Sequence, residues 1–202
     1  MKSISDYEKH YWRSDRLVIG IDEAGRGPLA GPLVVAGVVF PKGYQSEEIN
    51  DSKTLTEKKR ELLYEIIIKD ALYYYVVVVD VETIERLNIL EATREAMSQI
   101  AGKTDVGVIL TDAMKLPVDK EVVDIIKGDS KSVSIAAASI LAKVTRDRIM
   151  YDLDKKYPQY NFKKNKGYPT KEHFDALEKY GITEIHRKNY KPVIKAMQNK
   201  LF

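Results

Sequence analysis

Cysteine is absent from the 202 residues. That excludes disulfides, thiolate nucleophiles and cysteine zinc sites together, and it fits a reducing compartment. No apolar run approaches the roughly 20 residues that a membrane-spanning helix needs. Residues 1–15 are polar and of mixed charge, without the apolar core of a secretory signal, so the expected location is the cytoplasm and no membrane partner is expected. Histidine is scarce: His10, His173 and His186 lie far apart and form no H-E-x-x-H zinc motif. No G-x-S-x-G elbow surrounds Ser139, whose small neighbours Ala136, Ala137 and Ala138 suggest close helix packing instead. Internal repeats, low-complexity tracts and Ser/Gly-rich linkers are also missing.

What is present fits one sizeable α/β domain over residues 1–202: 44% hydrophobic and 31% charged residues. Residues 1–15 read as an N-terminal extension and about 157–202 as a helical C-terminal part. A net charge of +3 says little about nucleic acid, but its distribution says more. Between Lys155 and Lys171 there are six lysines and no acid, interleaved with Tyr157, Tyr160, Phe162 and Tyr168. Lysines neutralise phosphates and aromatic faces stack on bases or sugars. The same pattern also suits a solvated basic loop anchored by its aromatics.

Arg16 to Asp22 reads as a first strand. Leu33 to Phe40, bounded by prolines, reads as a second, antiparallel to the first because a parallel crossover needs a dozen residues or more. Thr54-Leu55-Thr56-Glu57 matches a capping box, followed by a helix with Leu62, Leu63, Ile66 and Ile67 on one face. Ala71 to Val79 is nearly continuous in apolar residues and predicts a buried strand. Asn88 with Glu91 can cap a helix to about Ile100. Val106 to Leu110 and Glu121 to Ile126 predict two more strands. Ile135, Ala138, Ala142, Ile149 and Leu153 form one stripe of a long helix from about Val133 to Lys155. Thr170 can cap a helix ending at Gly181, and Pro192 can open a last one.

The chemistry concentrates in Asp22-Glu23-Ala24-Gly25-Arg26-Gly27-Pro28. Two carboxylates at the end of an apolar strand are costly to desolvate unless a cation pairs with them, and carboxylate oxygens suit hard cations such as Mg²⁺. Glycines let a ligand approach the backbone closely, and arginine pairs with phosphate. Asp112 follows the strand at 106–110, and side-by-side pairing of the two strands would bring these ends to one edge of the sheet. Asp129 precedes the long helix, whose positive end favours an anion. Taken singly, Asp112 suits an Asx-turn and Asp129 a helix cap. Asp147, flanked by Arg146 and Arg148, reads as a surface ion pair, and Asp124 as a solvated strand residue. Gly25, Gly27 and Gly31 come close to a dinucleotide fingerprint, but Pro28 and Pro32 oppose a following helix and no G-K-[ST] ending occurs.

Together these segments resemble the bacterial form of ribonuclease HII, the type 2 ribonuclease H. The resemblance runs from Leu17 to Pro192. It rests on Ile21 to Pro32, Asp51-Ser52-Lys53, Asn88 to Thr93, Asp112, Gly128 to Ser132 leading into Ile135 to Val144, Lys166 to Thr170 with His173, and His186-Arg187. It implies a ribonuclease H-like mixed five-stranded sheet flanked by helices, with a helical C-terminal extension. It also implies a metal site of Asp22, Glu23, Asp112 and Asp129 holding two divalent ions, Mg²⁺ or Mn²⁺. Gly25-Arg26-Gly27 then corresponds to the loop that reads a ribonucleotide's 2′-hydroxyl. Tyr168 corresponds to the residue packing on the next sugar, and Lys53 to an aid in phosphate binding. Two departures concern loops only: Asn189-Tyr190 stands where Ser-Phe is expected, and Pro169 follows Tyr168 where glycine is common.

The implied activity is metal-dependent endonucleolytic cleavage 5′ of ribonucleotides, in RNA–DNA hybrids and at single ribonucleotides in duplex DNA, by a monomer. Cleavage leaves a 3′-hydroxyl and a 5′-phosphate. Acidic clusters also serve Holliday-junction resolvases and 3′–5′ exonucleases on related folds, but those do not explain a Gly-Arg-Gly turn directly after Asp-Glu. A non-catalytic nucleic-acid-binding module using Lys155 to Lys171 is the rival outside enzymes.

Overall fold

The computed structural model describes residues 4–198. Chain contacts group these into two compact units. Of the described residues, the first comprises 4–24, 34–77 and 93–144; the second comprises 25–33, 78–92 and 145–198.

The first unit is built on a five-stranded sheet. Its strands are β1 (Val18–Ala24), β2 (Leu33–Val39), β3 (Tyr73–Val79), β4 (Val108–Asp112) and β5 (Glu121–Ile125), in the order β3-β2-β1-β4-β5. β1 runs antiparallel to β2 and parallel to β4, and β4 runs parallel to β5. The mixed sheet is therefore as expected. The helices are α1 (Asp6–Trp12), α2 (Glu57–Asp70), α3 (Val81–Leu87), α4 (Ile89–Gly102), α5 (Val133–Lys156), α6 (Phe162–Asn165), α7 (Lys171–Tyr180) and α8 (Lys191–Gln198). Among the described residues no helix is long and apolar enough to cross a membrane.

The period-2 pleat decides which residues meet. Val18, Val108, Leu110 and Ile125 point to one face, where Tyr11 of α1 and Ile135 of α5 complete a buried cluster. Gly20 shares that face. A Cβ there would lie 2.3 Å from backbone atoms of Ser134 and Ile135, so the missing side chain is what lets α5 lie against β1. Residues 132–142 are buried all round, which explains their alanine and serine content. On the opposite face Ile19 and Ile100 of α4 close over Gly37.

The second unit gathers around Leu29, Ala30, Met150, Tyr160, Phe162, Ala176, Leu177 and Val193. Thr170 caps α7 by accepting from the His173 amide, and Gly181 follows its last turn, as the sequence implies.

Four expectations need correction. β3 is not buried: Tyr73, Tyr74 and Val78 are exposed, because the strand lies at the sheet's edge and so carries an apolar run without two covered faces. The cap of α2 is Thr56, which accepts from the Lys59 amide, while Thr54 closes a short 3₁₀ turn, Ser52–Thr54. On α2, Leu63 and Ile67 are buried but Leu62 is exposed. Asp147 is not at the surface: it and Arg146 are both buried. Asp124 is exposed, as read.

Candidate active site

β1 extends through Asp22 and Glu23 to Ala24, and β4 through Asp112, so these acids are strand residues. The parallel register pairs Ile21 with Thr111, and the next step along both strands is Asp22 and Asp112. Both follow the parity of Val18 and Leu110, so both face α5. Asp129 reaches the same place from a 3₁₀ turn, Gly128–Ser130, just before α5. The turn is tied to the strand end, because the Gly128 amide donates to Asp112 Oδ1 at 2.9 Å. One carboxylate oxygen from each of Asp22, Asp112 and Asp129 lies within 4.8 Å of the others. Three acids from well-separated segments thus converge by register, pleat and a helix-leading turn.

Glu23, the next residue, lies outside this 4.8 Å group, but it stays coupled to it: its amide donates to Asp22 Oδ1 at 2.7 Å and its charge acts on the Asp22 carboxyl.

Asp22 and Asp129 are 6% and 4% exposed. Burial, then the negative charge of Glu23, and also that of Asp112 and Asp129, push the Asp22 carboxyl well above the usual carboxylate range. Burial, then Asp51, raises Asp129 as well. Lys53 Nζ lies 3.3 Å from Asp129 Oδ2. Burial works against that ammonium, but Asp129, Asp51 and Asp22 outweigh it and raise its pKa. The lysine is largely exposed, so it offsets only part of the cluster's repulsion. A compact, all-oxygen, under-compensated donor set of this kind fits a hard divalent cation.

The expected substrate-reading residues lie in the second unit. Gly25, Arg26 and Gly27 open a loop running to Pro32, and Gly25 has φ +102°. A Cβ at Gly25 would lie 2.3 Å from Arg146 Nε and 2.8 Å from the Pro32 carbonyl oxygen, so both conformation and space require glycine. The Tyr168 ring stands beside Gly27, whose Cβ position is 3.6 Å from Tyr168 Cε1, and it remains 40% exposed. The Leu29 amide donates to the Gly167 carbonyl at 2.8 Å, joining the loop to the Tyr168 segment.

Two buried arginines hold this loop by its carbonyls. Arg187 Nη2 donates to Gly25 (2.7 Å), Gly31 (2.8 Å) and Pro32 (3.2 Å), and Nη1 donates to Arg26 (3.1 Å). Arg146 donates to Pro32 (2.9 Å), Ala30 (3.1 Å) and Lys166 (2.9 Å). Burial and then the Arg187 charge lower Arg146 to about 10. Sequence reading assigned neither a role. A signal existed for Arg146: the long-helix stripe jumps seven residues from Ala142 to Ile149, and Arg146 fills the gap at helical spacing. Tyr190, one of the two departures, also acts here: its hydroxyl, which phenylalanine lacks, donates to the Arg26 carbonyl at 2.8 Å.

A buried histidine pair supports Tyr168 from behind. The Thr183 amide donates to His186 Nδ1 at 2.9 Å. His186 must then carry its proton on Nε2 and donate to His173 Nε2 at 3.1 Å. His173 Nδ1 in turn donates to the Tyr168 carbonyl at 3.0 Å. Both rings must be neutral, since a second proton would set two N–H groups head to head. Burial, then His173, lowers His186 to about 3, and burial lowers His173. A folded pKa below the unfolded one means stability is complete above pH 6.5 and is lost as pH falls toward 3. Acidifying from about pH 8 to about pH 5 should cost about 2 kcal/mol through His186. Urea midpoints of the wild type and His186→Gln at both pH values check this, since their difference cancels the opposing titration of the buried acids. Equal pH slopes would refute it.

A family model described as Ribonuclease HII matches residues 19–193. Ribonuclease HII of Lactobacillus helveticus is 52% identical over 189 residues, which span 93% of this chain and 76% of that protein. The crystal structure of ribonuclease H2 from Pyrococcus horikoshii OT3 has a TM-score of 0.73 at 28% identity, covering 91% of this chain and 98% of that one. The ribonuclease HII solved in complex with PCNA from Archaeoglobus fulgidus has a TM-score of 0.72 at 29% identity, covering 87% and 95%. By the span of the family match and by relatives of this identity, the chain belongs to the ribonuclease HII family and is a metal-dependent endoribonuclease that degrades RNA in RNA–DNA hybrids.

Proposed function

We propose that the chain cuts the phosphodiester 5′ of ribonucleotides, including a single ribonucleotide within duplex DNA, and leaves 3′-hydroxyl and 5′-phosphate ends. The observation that carries this reading is the Asp22–Asp112–Asp129 convergence, three mutually close carboxylates with one exposed lysine beside them. These three, with Glu23 joining, would hold two divalent ions, Mg²⁺ or Mn²⁺. When bound, the ions activate the attacking water and neutralise charge at the departing oxygen.

The protein's own residues supply position and choice. Phosphates are alike in RNA and DNA, so discrimination needs the 2′-hydroxyl. Main-chain groups at Gly25, Arg26 and Gly27 are the readers we assign to it, on a loop whose shape the two buried arginines fix. Tyr168 would pack on the following sugar and favour one without the hydroxyl. Lys53 would approach the phosphate. We assign the enzyme to the cytoplasm as a monomer.

The test is nicking of a DNA duplex holding one ribonucleotide, with Mg²⁺ or Mn²⁺. We expect a single cut on the 5′ side. A requirement for a branched substrate would indicate a resolvase, a requirement for an end an exonuclease, and binding without cutting a recognition module. Tyr168→Ala should lower nicking at the single ribonucleotide about 10²-fold, because positioning contacts of this kind carry that much rate. Its melting temperature should change little, since the ring is partly exposed. Undiminished junction preference would remove Tyr168 from this role.

A further inference from the structure

Helix α1 lies outside the segment that the family model matches, residues 19–193. Yet it places a carboxylate in the interior. Glu8 is fully buried, and its Oε1 accepts from the Ser132 hydroxyl at 2.5 Å and from the Ser134 amide at 3.0 Å. Ser132 is the pivot between Asp129 and α5. Its hydroxyl also accepts from the Ile135 amide at 3.1 Å, capping α5, and its amide donates to the Gly128 carbonyl at 2.9 Å, closing the turn that carries Asp129. An anion at the head of α5 is favoured because first-turn amides such as that of Ser134 have no acceptor within the helix.

Glu8 is held firmly. Three residues on, Tyr11 packs with Val18, Val108, Leu110, Ile125 and Ile135, and its hydroxyl donates to Glu121 at 2.8 Å. Arg16 pairs with the same Glu121. The helix is thus anchored on the sheet face that Asp22 and Asp112 share.

We propose that Glu8 is a positioning residue for the metal site. Through Ser132 and Ser134 it fixes the Gly128–Ser132 turn, and so the place of Asp129 relative to Asp112. This rests on the reading of Asp129 as a metal-site carboxylate. α1 is then part of the active-site support rather than an appended segment. Outer groups that orient ligands in this way commonly change metal affinity by one to two orders of magnitude.

The experiment measures Mn²⁺ binding to the full chain by calorimetry without nucleic acid, alongside kcat and KM on a hybrid. Glu8→Ala should weaken Mn²⁺ binding about tenfold, with KM for the hybrid within about twofold because α1 is assigned no part in substrate contact. Glu8→Gln should restore binding, since its amide oxygen can accept the same two hydrogen bonds. Wild-type Mn²⁺ affinity in folded Glu8→Ala overturns the proposal, as does failure of Glu8→Gln to restore it. If Glu8→Ala does not fold, Glu8→Asp, which withdraws the carboxylate by one methylene, decides: weakened binding supports the role and unchanged binding ends it. Asp129→Asn serves as the separate control. If that variant binds Mn²⁺ normally, the assignment of Asp129 has failed, and the role of Glu8 falls with it.

Discussion

Asp112→Asn should reduce cleavage of an RNA–DNA hybrid by about a hundred- to a thousandfold while leaving the fold intact. The substitution is nearly isosteric. Its amide oxygen can still accept from the Gly128 amide, the bond that ties the Asp129 turn to the end of β4. Packing is spared, because Asp112 is only half-buried and ends its strand. What disappears is one of three carboxyl groups whose oxygens lie within 4.8 Å of one another. A neutral amide is a poor ligand for a hard cation where a carboxylate stood. The loss should therefore appear in kcat and in the metal concentration needed for activity, with a melting temperature close to that of the wild type. Near-normal turnover at ordinary Mg²⁺ levels would exclude Asp112 from the metal site, whatever its neighbours do.

That prediction rests on residues readable from the sequence, and the reason is geometric. Asp22 and Asp112 directly follow the apolar stretches of their strands. Once two such strands pair in parallel, register and pleat leave little freedom about where the acids go. Asp129 was legible for a related reason, since a turn before a long helix packed on those strands delivers its side chain near their ends. Glu23 lies outside the 4.8 Å group although it is the next residue, because adjacent strand residues alternate in direction, and it acts on Asp22 through its charge and its amide. β3 shows the limit of hydrophobic runs: Tyr73 to Val79 is apolar enough for an interior strand, but nothing local says that no sixth strand will cover its edge. Arg146, Arg187 and Glu8 were missed because a charged residue reads as surface unless its partners are known, and these partners are distant along the chain. For the two arginines they are also backbone carbonyls, which no residue type announces. The effect of Tyr190 was hidden in the same way, since a hydroxyl in place of hydrogen matters only when a carbonyl waits 2.8 Å away.

Arg187→Met should be the most damaging substitution in the second unit. The guanidinium is fully buried and serves four loop carbonyls, those of Gly25, Arg26, Gly31 and Pro32. Methionine fills much of the volume but donates nothing, so the Gly25 and Gly31 oxygens lose their side-chain donor where water cannot easily replace it, while Pro32 keeps Arg146 and Arg26 keeps Tyr190. Removing one partner of a buried charged network costs about 3–5 kcal/mol. For a protein of this size that corresponds to a fall in melting temperature of about 10 °C. Lysine should not rescue it, because a single ammonium cannot reproduce the planar fork that spans several carbonyls at once. Tyr190→Phe removes one tether to the Arg26 carbonyl and should cost about 1 kcal/mol. Below its own melting transition, Arg187→Met should also lose preference for a single ribonucleotide over plain DNA, since the Gly25–Gly27 backbone would no longer be held in one shape. Cleavage of a long hybrid, which offers many ribonucleotides to a loosened loop, should suffer less. A melting temperature within about 2 °C of the wild type would show that the loop holds its shape without the arginine. Unaltered ribonucleotide preference in a variant that is destabilised would show that the shape held by Arg187 is not what reads the sugar.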